Sequence, residues 1–253
     1  MRTIAICNQK GGVGKTTISV LLADAATRAG QRVLLVDLDP QANATAATGG
    51  RGRGETLGDV LADPRGASLV RAIRPCALQF DVATSSVELA SKERNRRTAD
   101  EHDLRRLLRP VAESYDLALI DSPPSLGVLT VTALTAADEY LVVTDPAKFA
   151  LDGIRGVNDT ADVVRSYFNS NLAAAGVIIN LADATLETKR RLDELRRLDS
   201  VRVLDPMIPR RVVVKEAIAH GRSLWDYGTD RGADDVCRAV ERLVDQLLVC
   251  HAA

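Results

Sequence analysis

Residues 8–17 read Asn8-Gln9-Lys10-Gly11-Gly12-Val13-Gly14-Lys15-Thr16-Thr17, and this stretch decides the fold. An apolar run at residues 4–7 precedes it, and apolar residues recur at helical spacing after it. The order is therefore strand, glycine-rich loop, helix. Three glycines let consecutive backbone N–H groups point at an anion, and the helix N-terminus adds the positive end of its dipole. The stretch predicts a phosphate-binding loop, and the alternative is a glycine-rich turn with two solvated lysines.

Two side chains of the loop have expected roles beside a nucleotide. Lys15 would reach the β- and γ-phosphates, and the Thr16 hydroxyl would ligate Mg²⁺. A strict P-loop begins with a glycine where this chain has Gln9, and the chain has a second lysine, Lys10, directly after that position.

Residues 10–17 resemble the deviant Walker A loop of the ATPase family that includes ParA, MinD, nitrogenase iron protein and the arsenite-pump ATPase. The resemblance implies ATP or ADP and Mg²⁺ as cofactors, and it implies that Lys10 crosses a dimer interface to the partner's nucleotide. The implied nucleotide contacts are Lys10, Gly11, Gly12, Val13, Gly14, Lys15, Thr16 and Thr17. The resemblance further assigns Lys10, Lys15 and Asp39 to ATP hydrolysis, so an ATP hydrolase is expected.

Acidic residues follow two of the predicted buried strands. Asp37 and Asp39 come after residues 32–36, and Asp121 ends the apolar run at residues 117–120. Ligands of open α/β sheets bind at the carboxyl ends of strands. In the resembling family, Asp39 orients the attacking water, Asp37 lies near the water shell of Mg²⁺, and Asp121 holds Mg²⁺ through a water beside Thr16. The alternative for residues 37–40 is a capping turn into the next helix.

Alternating strands and helices along the chain predict an α/β fold, a doubly wound, mostly parallel sheet flanked by helices, in a single domain of residues 1–253. The last strand is predicted at residues 201–210, and residues 46–55 are predicted to form a mobile surface loop. The charged run at residues 92–97 is interpreted as a solvated helix end, with phosphate contacts as the alternative. By resemblance, Asn180 recognises adenine, and Pro209 and Arg210 line the base pocket.

The amino-acid composition argues against several classes of protein. The chain has 253 residues, 46% hydrophobic and 26% charged, with a formal net charge of -1, as in an ordinary soluble protein. Its four cysteines form no C-x-x-C pair, which argues against zinc or iron–sulfur sites. No apolar stretch approaches the roughly 20 residues that cross a bilayer, so a cytoplasmic protein is expected.

Local charge suggests a nucleic-acid partner. Residues 186–222 contain ten basic and six acidic residues, although the whole chain is slightly acidic. Only 3% of residues are aromatic, which favours phosphate contacts on duplex DNA over base stacking. The candidate DNA contacts are Lys189, Arg190, Arg211 and Lys215. One basic position common in the family is occupied by Val213, and the alternative for the whole region is a solvated helix face.

The leading hypothesis is a ParA-like ATPase of chromosome or plasmid segregation that is associated with the nucleoid. The resemblance implies an ATP-dependent homodimer, non-specific binding to double-stranded DNA and a ParB-type partner that stimulates hydrolysis. A MinD-like membrane-associated ATPase would need a basic C-terminal amphipathic helix, but residues 247–253 contain neither lysine nor arginine. The apolar stripe before them is predicted to pack on the sheet. An amidotransferase-type ligase is expected to need an additional domain.

Overall fold

The computed structural model describes residues 1–50, 54–62, 68–91, 100–146, 150–183, 185–197 and 201–249. The charged run at residues 92–97 lies outside the described residues. The described strands are β1 Arg2–Cys7, β2 Val33–Asp37, β3 Ile73–Pro75, β4 Asp81–Ala83, β5 Leu117–Asp121, β6 Glu139–Thr144 and β7 Ala173–Ile179. The described α-helices are α1 Lys15–Arg28, α2 Asn43–Ala47, α3 Leu57–Ala62, α4 Asp103–Leu108, α5 Val128–Ala136, α6 Ala150–Tyr167, α7 Leu186–Arg196, α8 Val212–Ala219 and α9 Arg231–Val249.

The described strands form one sheet in the order β3-β4-β2-β5-β1-β6-β7. All neighbours pair in parallel except β3 and β4, which are antiparallel. Side chains alternate between the two faces, so Ile4 and Ile6 pack with α1, α8 and α9, whereas Ala5 and Cys7 pack with α4, α5 and α6. Because helices cover both faces, the central strands are almost wholly apolar. The predicted α/β doubly wound fold is confirmed.

The register of the sheet gathers the predicted site at one edge. Asp121 at the end of β5 pairs in register with Ile6 of β1 and with Asp37 of β2. The glycine loop leaves the end of β1, whose neighbours β5 and β6 lie on either side. The chain crosses from β1 to β2 on one side and from β5 to β6 on the other, and such a reversal of strand order opens a crevice at the carboxyl ends of the strands.

The strand predicted at residues 201–210 is wrong. This segment runs beside β7 but makes only isolated bridges, Val177 with Val203 and Ala182 with Pro209. Pro206 lies between the two bridges and has no N–H to donate, so the ladder is interrupted there.

Part of the predicted mobile loop at residues 46–55 is also wrong. Residues 43–47 form α2, and Thr48 is buried, with its hydroxyl donating to the carbonyl oxygen of Ala44. Residues 51–53 lie outside the described residues.

The predicted packing of the C-terminal apolar stripe is confirmed. Val236, Val240, Leu243 and Leu247 of α9 are buried in the core shared with α1. In the part of the chain that the structure describes, no helix is both long and apolar enough to cross a membrane.

Candidate nucleotide-binding site

The glycine loop has a backbone that needs glycine at two positions. Gly12 and Gly14 have φ values of 79° and 87°, in the left-handed region. A Cβ on Gly14 would lie 2.3 Å from the side-chain nitrogen of Asn180. That nitrogen donates a 2.8 Å hydrogen bond to the carbonyl oxygen of Val13, so Asn180 fixes the loop where α1 begins.

Lys15 is a buried cation at this loop. Its residue is 7% exposed, and its ammonium donates a 3.4 Å hydrogen bond to the carbonyl oxygen of Lys10. Burial lowers the pKa of Lys15, and the nearby charges of Asp121, Cys7 and Asp39 oppose that shift. Among the described residues, no carboxylate lies within ion-pair distance of this ammonium. An anion is the natural partner for a buried ammonium in this position.

Thr16 and Asp121 are brought together as predicted for a metal site. The Thr16 hydroxyl donates to Asp121 Oδ2 at 2.7 Å, and the Ser19 hydroxyl donates to Asp121 Oδ1 at 3.0 Å. Burial raises the pKa of Asp121 to about 7, with the charge of neighbouring Asp37 adding to the shift. The raised pKa means that a proton competes with a cation for this carboxyl group.

Asp37 lies beside Asp121 and is fully buried. Its Oδ2 accepts hydrogen bonds from the backbone N–H and the hydroxyl of Thr45, both at 2.7 Å. Burial raises the pKa of Asp37 to about 6 despite these bonds. The donor set of hydroxyl and carboxylate oxygens suits Mg²⁺, which usually keeps several water ligands. Within the described ranges, no group of three or more His, Cys, Asp or Glu is placed to hold a metal ion, so water would have to complete any such shell.

A cavity of about 440 Å³ lies between the glycine loop and residues 39–47, which follow β2. Asp39 lines it and is 6% exposed. Its Oδ1 accepts a 2.9 Å hydrogen bond from the N–H of Gln41, which forms a turn before α2. The first residue of α2 is Asn43, and no side chain caps this helix, so Asp39 does not act as its cap. The cavity lining consists of Gly11, Gly12, Gly14, Lys15, Thr16, Thr17, Asp39, Asn43, Ala46, Ala47, Pro124, Ile218 and Ala219.

Lys10 forms an ion pair with a carboxylate of its own chain. Its ammonium contacts both carboxylate oxygens of Asp145 at 2.8 Å. Asp145 directly follows β6. A role for Lys10 across a dimer interface stays a prediction.

Two of the three residues predicted for the base, Pro209 and Arg210, do not line the phosphate cavity. Pro209 borders a second groove of about 360 Å³, between the segment at residues 206–209 and α9. Arg210 is exposed and pairs with Asp183 at 3.5 Å. The Asn180 amide nitrogen already serves the loop, and its recognition of adenine stays a prediction.

The four predicted DNA contacts differ in their surroundings. Lys189, Arg190 and Lys215 are exposed, and no ion pair engages them among the described residues. Arg211 pairs with Asp235 at 2.9 Å, so part of its charge is neutralised. Val213 is buried in the core, which leaves no room there for a solvated basic side chain.

Several residues of the site were not predicted from the sequence. They are Ser19, which bonds Asp121; Thr45, which bonds Asp37; Ser85, whose hydroxyl donates to the Asp39 carbonyl at 2.6 Å; and Ile218 and Ala219, which wall the cavity. Ser19 had a usable signal, because it is a polar residue on the apolar face of α1.

A glycine loop, a buried lysine and a threonine paired with the aspartate of a neighbouring strand define a P-loop protein of the α/β class. Residues 1–174 match the family model AAA_31, described as an AAA domain. The sequence is 36% identical to the sporulation initiation inhibitor protein Soj of Bacillus subtilis, over 92% of this chain and 94% of that one. It is 37% identical to the chromosome-partitioning ATPase Soj of Thermus thermophilus, over 98% and 96% of the two chains. The chain belongs to the ParA/Soj family of partition ATPases.

One solved structure bears on the ligase alternative. Cobyrinic acid a,c-diamide synthase from Mycobacterium smegmatis, with bound ATP analogue and magnesium, is 30% identical with a TM-score of 0.83. The match covers 98% of this chain and 94% of that one. A solved chain of that name thus matches this one over nearly its whole length, so chain length does not separate the two classes, and the need of such a ligase for an additional domain stays an expectation.

Proposed function

We propose that this protein binds Mg²⁺ and ATP in the 440 Å³ cavity, pairs with a second copy in the ATP state, and then binds duplex DNA without sequence preference. Hydrolysis, stimulated by a ParB-type partner, would release the DNA. The observation that carries the proposal is the buried Lys15 ammonium, which faces the glycine loop without a carboxylate partner among the described residues.

Binding of phosphates would satisfy this arrangement. The loop N–H groups and Lys15 would neutralise the phosphate charge, as at other helix N-termini. Thr16 and Asp121 are the residues that would hold Mg²⁺, with Asp37 behind Asp121. Mg²⁺ supplies charge neutralisation at the phosphate oxygens when it is bound. Asp121 would release its proton on accepting the cation, because its pKa is raised to about 7 without one.

Hydrolysis would depend on positioning and charge. Asp39 lines the cavity opposite the loop and would orient the attacking water. Lys10 of the paired copy would add a second positive charge near the phosphates. The nucleoid-associated role fits α9, whose apolar stripe packs against α1 and is not available to a membrane.

Light scattering with a slowly hydrolysed ATP analogue tests the pairing. The wild type is expected to double in mass with the analogue and to stay single with ADP. Lys10→Ala should bind the analogue but fail to pair, whereas Lys189→Ala, which changes an exposed lysine on α7, should pair normally. A wild type that stays single with the analogue refutes the proposed function.

A further inference from the structure

Both the backbone and the side chain of Lys10 are tied to the end of β6. The Lys10 N–H donates to Asn8 Oδ1 at 2.9 Å, and Asn8 Nδ2 donates to the carbonyl oxygen of Val143 at 2.7 Å. Asn8 is 1% exposed, so this anchor is fixed. Asp145, two residues beyond Val143, then holds the ammonium through both carboxylate oxygens. Residues of the same chain therefore hold both the backbone and the side chain of Lys10.

The ion pair is reachable from solvent. The side chains of Lys10 and Asp145 are 39% and 20% exposed. Pairs of this exposure contribute little to stability, so a strong competing anion can displace the carboxylate. Phosphates of a second copy's nucleotide would be such an anion.

We propose that Asp145 is a positioning residue that holds Lys10 in the unpaired protein and opposes its transfer to the nucleotide of a second copy. The proposal rests on the proposed function, since Lys10 needs a partner's nucleotide to move to. When two copies pair, the ion pair between Lys10 and Asp145 breaks in each of them. Asp145 would thus raise the protein concentration at which two ATP-bound copies pair.

The first test uses nucleotide-free protein and measures how fast the Lys10 amine is acetylated, by mass spectrometry of the digested chain. Asp145→Asn should raise this rate up to about fivefold, the factor that corresponds to a surface ion pair. Asp145→Glu, which keeps a carboxylate, should stay near the wild-type rate. Lys189 and Lys215 in the same digest serve as internal references and should not change.

A matched control removes a different exposed ion pair. Asp116→Asn breaks the ion pair with Arg32 at the start of β5, at the opposite end of the strand from Asp121. It should leave the acetylation of Lys10 unchanged. Equal Lys10 rates in the wild type and Asp145→Asn would overturn the proposal.

The second test measures pairing with the slowly hydrolysed ATP analogue. Because one ion pair breaks in each copy, Asp145→Asn should lower the protein concentration for half-pairing by up to the square of the single effect, about 25-fold. Binding of a fluorescent ADP to the single protein should stay within about twofold, since Asp145 acts through Lys10. Unchanged pairing despite faster acetylation would overturn the proposal while leaving the proposed function intact. A wild type that does not pair would instead refute the proposed function, and the acetylation rates still decide whether Asp145 holds Lys10.

Discussion

At the scale of single residues, Asp37 and Asp121 are two carboxyl groups buried side by side next to the phosphate cavity. Each is hydrogen-bonded, yet burial raises both pKa values. A carboxyl group with a raised pKa in the folded state favours folding below its unfolded pKa, and that contribution is lost as pH rises through the folded pKa. For Asp121 the loss falls between about pH 4 and its folded pKa of about 7.

The first prediction concerns Asp121→Asn. Without nucleotide or Mg²⁺, this variant should be more stable than the wild type at about pH 8, by on the order of 2 kcal/mol, because the buried charge is removed. The gain should shrink toward about pH 4, where the wild-type carboxyl is already protonated. Urea unfolding at both pH values measures it. The variant should also lose Mg²⁺-dependent hydrolysis.

Asp116→Asn is the control for that prediction. Hydrogen bonds from Arg32 lower the pKa of Asp116 to about 2, so its charged form already favours folding. Removing it should not stabilise the protein at the higher pH. A stability of Asp121→Asn at or below that of the wild type at about pH 8 would contradict the buried-charge argument.

The second prediction separates binding from hydrolysis. Asp39→Ala should keep nucleotide binding and pairing but hydrolyse ATP roughly 100-fold more slowly, because Asp39 is outside the glycine loop and its proposed role is to position water. Lys15→Ala should lose the response to nucleotide altogether. Phosphate release and binding of a fluorescent ATP measure the two effects. Hydrolysis by Asp39→Ala at the wild-type rate would remove Asp39 from the mechanism.

The loop residues could be predicted because their spacing is local. Gly12, Gly14, Lys15 and Thr16 lie within one short stretch, and their roles follow from backbone geometry and side-chain type. Asp145 and Thr45 could not be found in this way. The ion pair of Asp145 joins segments that are distant along the chain and that the pairing of β1 with β6 brings together. The hydrogen bonds of Thr45 depend on how the chain turns from β2 into α2.

At the scale of elements, the basic residues of α7 and α8 differ in whether a carboxylate neutralises their charge. Arg191 of α7 is held by Glu187 at 3.0 Å and Glu194 at 2.9 Å. Lys189 on the same helix and Lys215 on α8 are exposed, without an ion pair among the described residues. Counting charges along residues 186–222 therefore overestimates the positive charge of this surface. Carboxylates from outside that range also pair with its basic residues, as Asp235 does with Arg211.

The third prediction concerns this surface. The double change Lys189→Ala, Lys215→Ala should weaken ATP-dependent DNA binding equally for unrelated sequences. It should also lower the salt slope by about 0.9 for each DNA phosphate that the variant no longer neutralises. Fluorescence anisotropy with short duplexes at several salt concentrations measures both. Hydrolysis without a partner should continue.

Arg191→Ala is the matched control, since its guanidinium already pairs with two glutamates. It should change DNA affinity less than the double variant does. An unchanged affinity and slope in the double variant, with pairing intact, would place the DNA surface elsewhere.

Elements with strong periodicity could be predicted, and those set by tertiary contacts could not. Helices α1 and α9 follow from the spacing of their apolar residues. Strand β3 has three residues, none fully buried, and pairs at the edge of the sheet, so no pattern announces it. Residues 201–210 have a strand-like composition, but Pro206, between the two isolated bridges, interrupts the ladder.

At the scale of the whole molecule, one helix connects the nucleotide cavity with the basic surface. Ile218 and Ala219, at the end of α8, wall the cavity, and Lys215 of the same helix is exposed. Gly221 lies just beyond α8, and a Cβ added to it would lie 3.4 Å from the carbonyl oxygen of Ala47 in α2. A nucleotide in the cavity would therefore contact both α2 and the helix that carries a candidate DNA contact. This arrangement would give the proposed DNA binding a physical route to depend on ATP.

Co-sedimentation with duplex DNA tests that dependence most directly. The wild type is compared with ATP, with ADP and without nucleotide, and Lys15→Ala is run beside it with ATP. Only the wild type with ATP should sediment with DNA, for any duplex sequence, and added salt should release it. Equal DNA binding in all four samples, or none in any of them, would contradict ATP-dependent DNA binding.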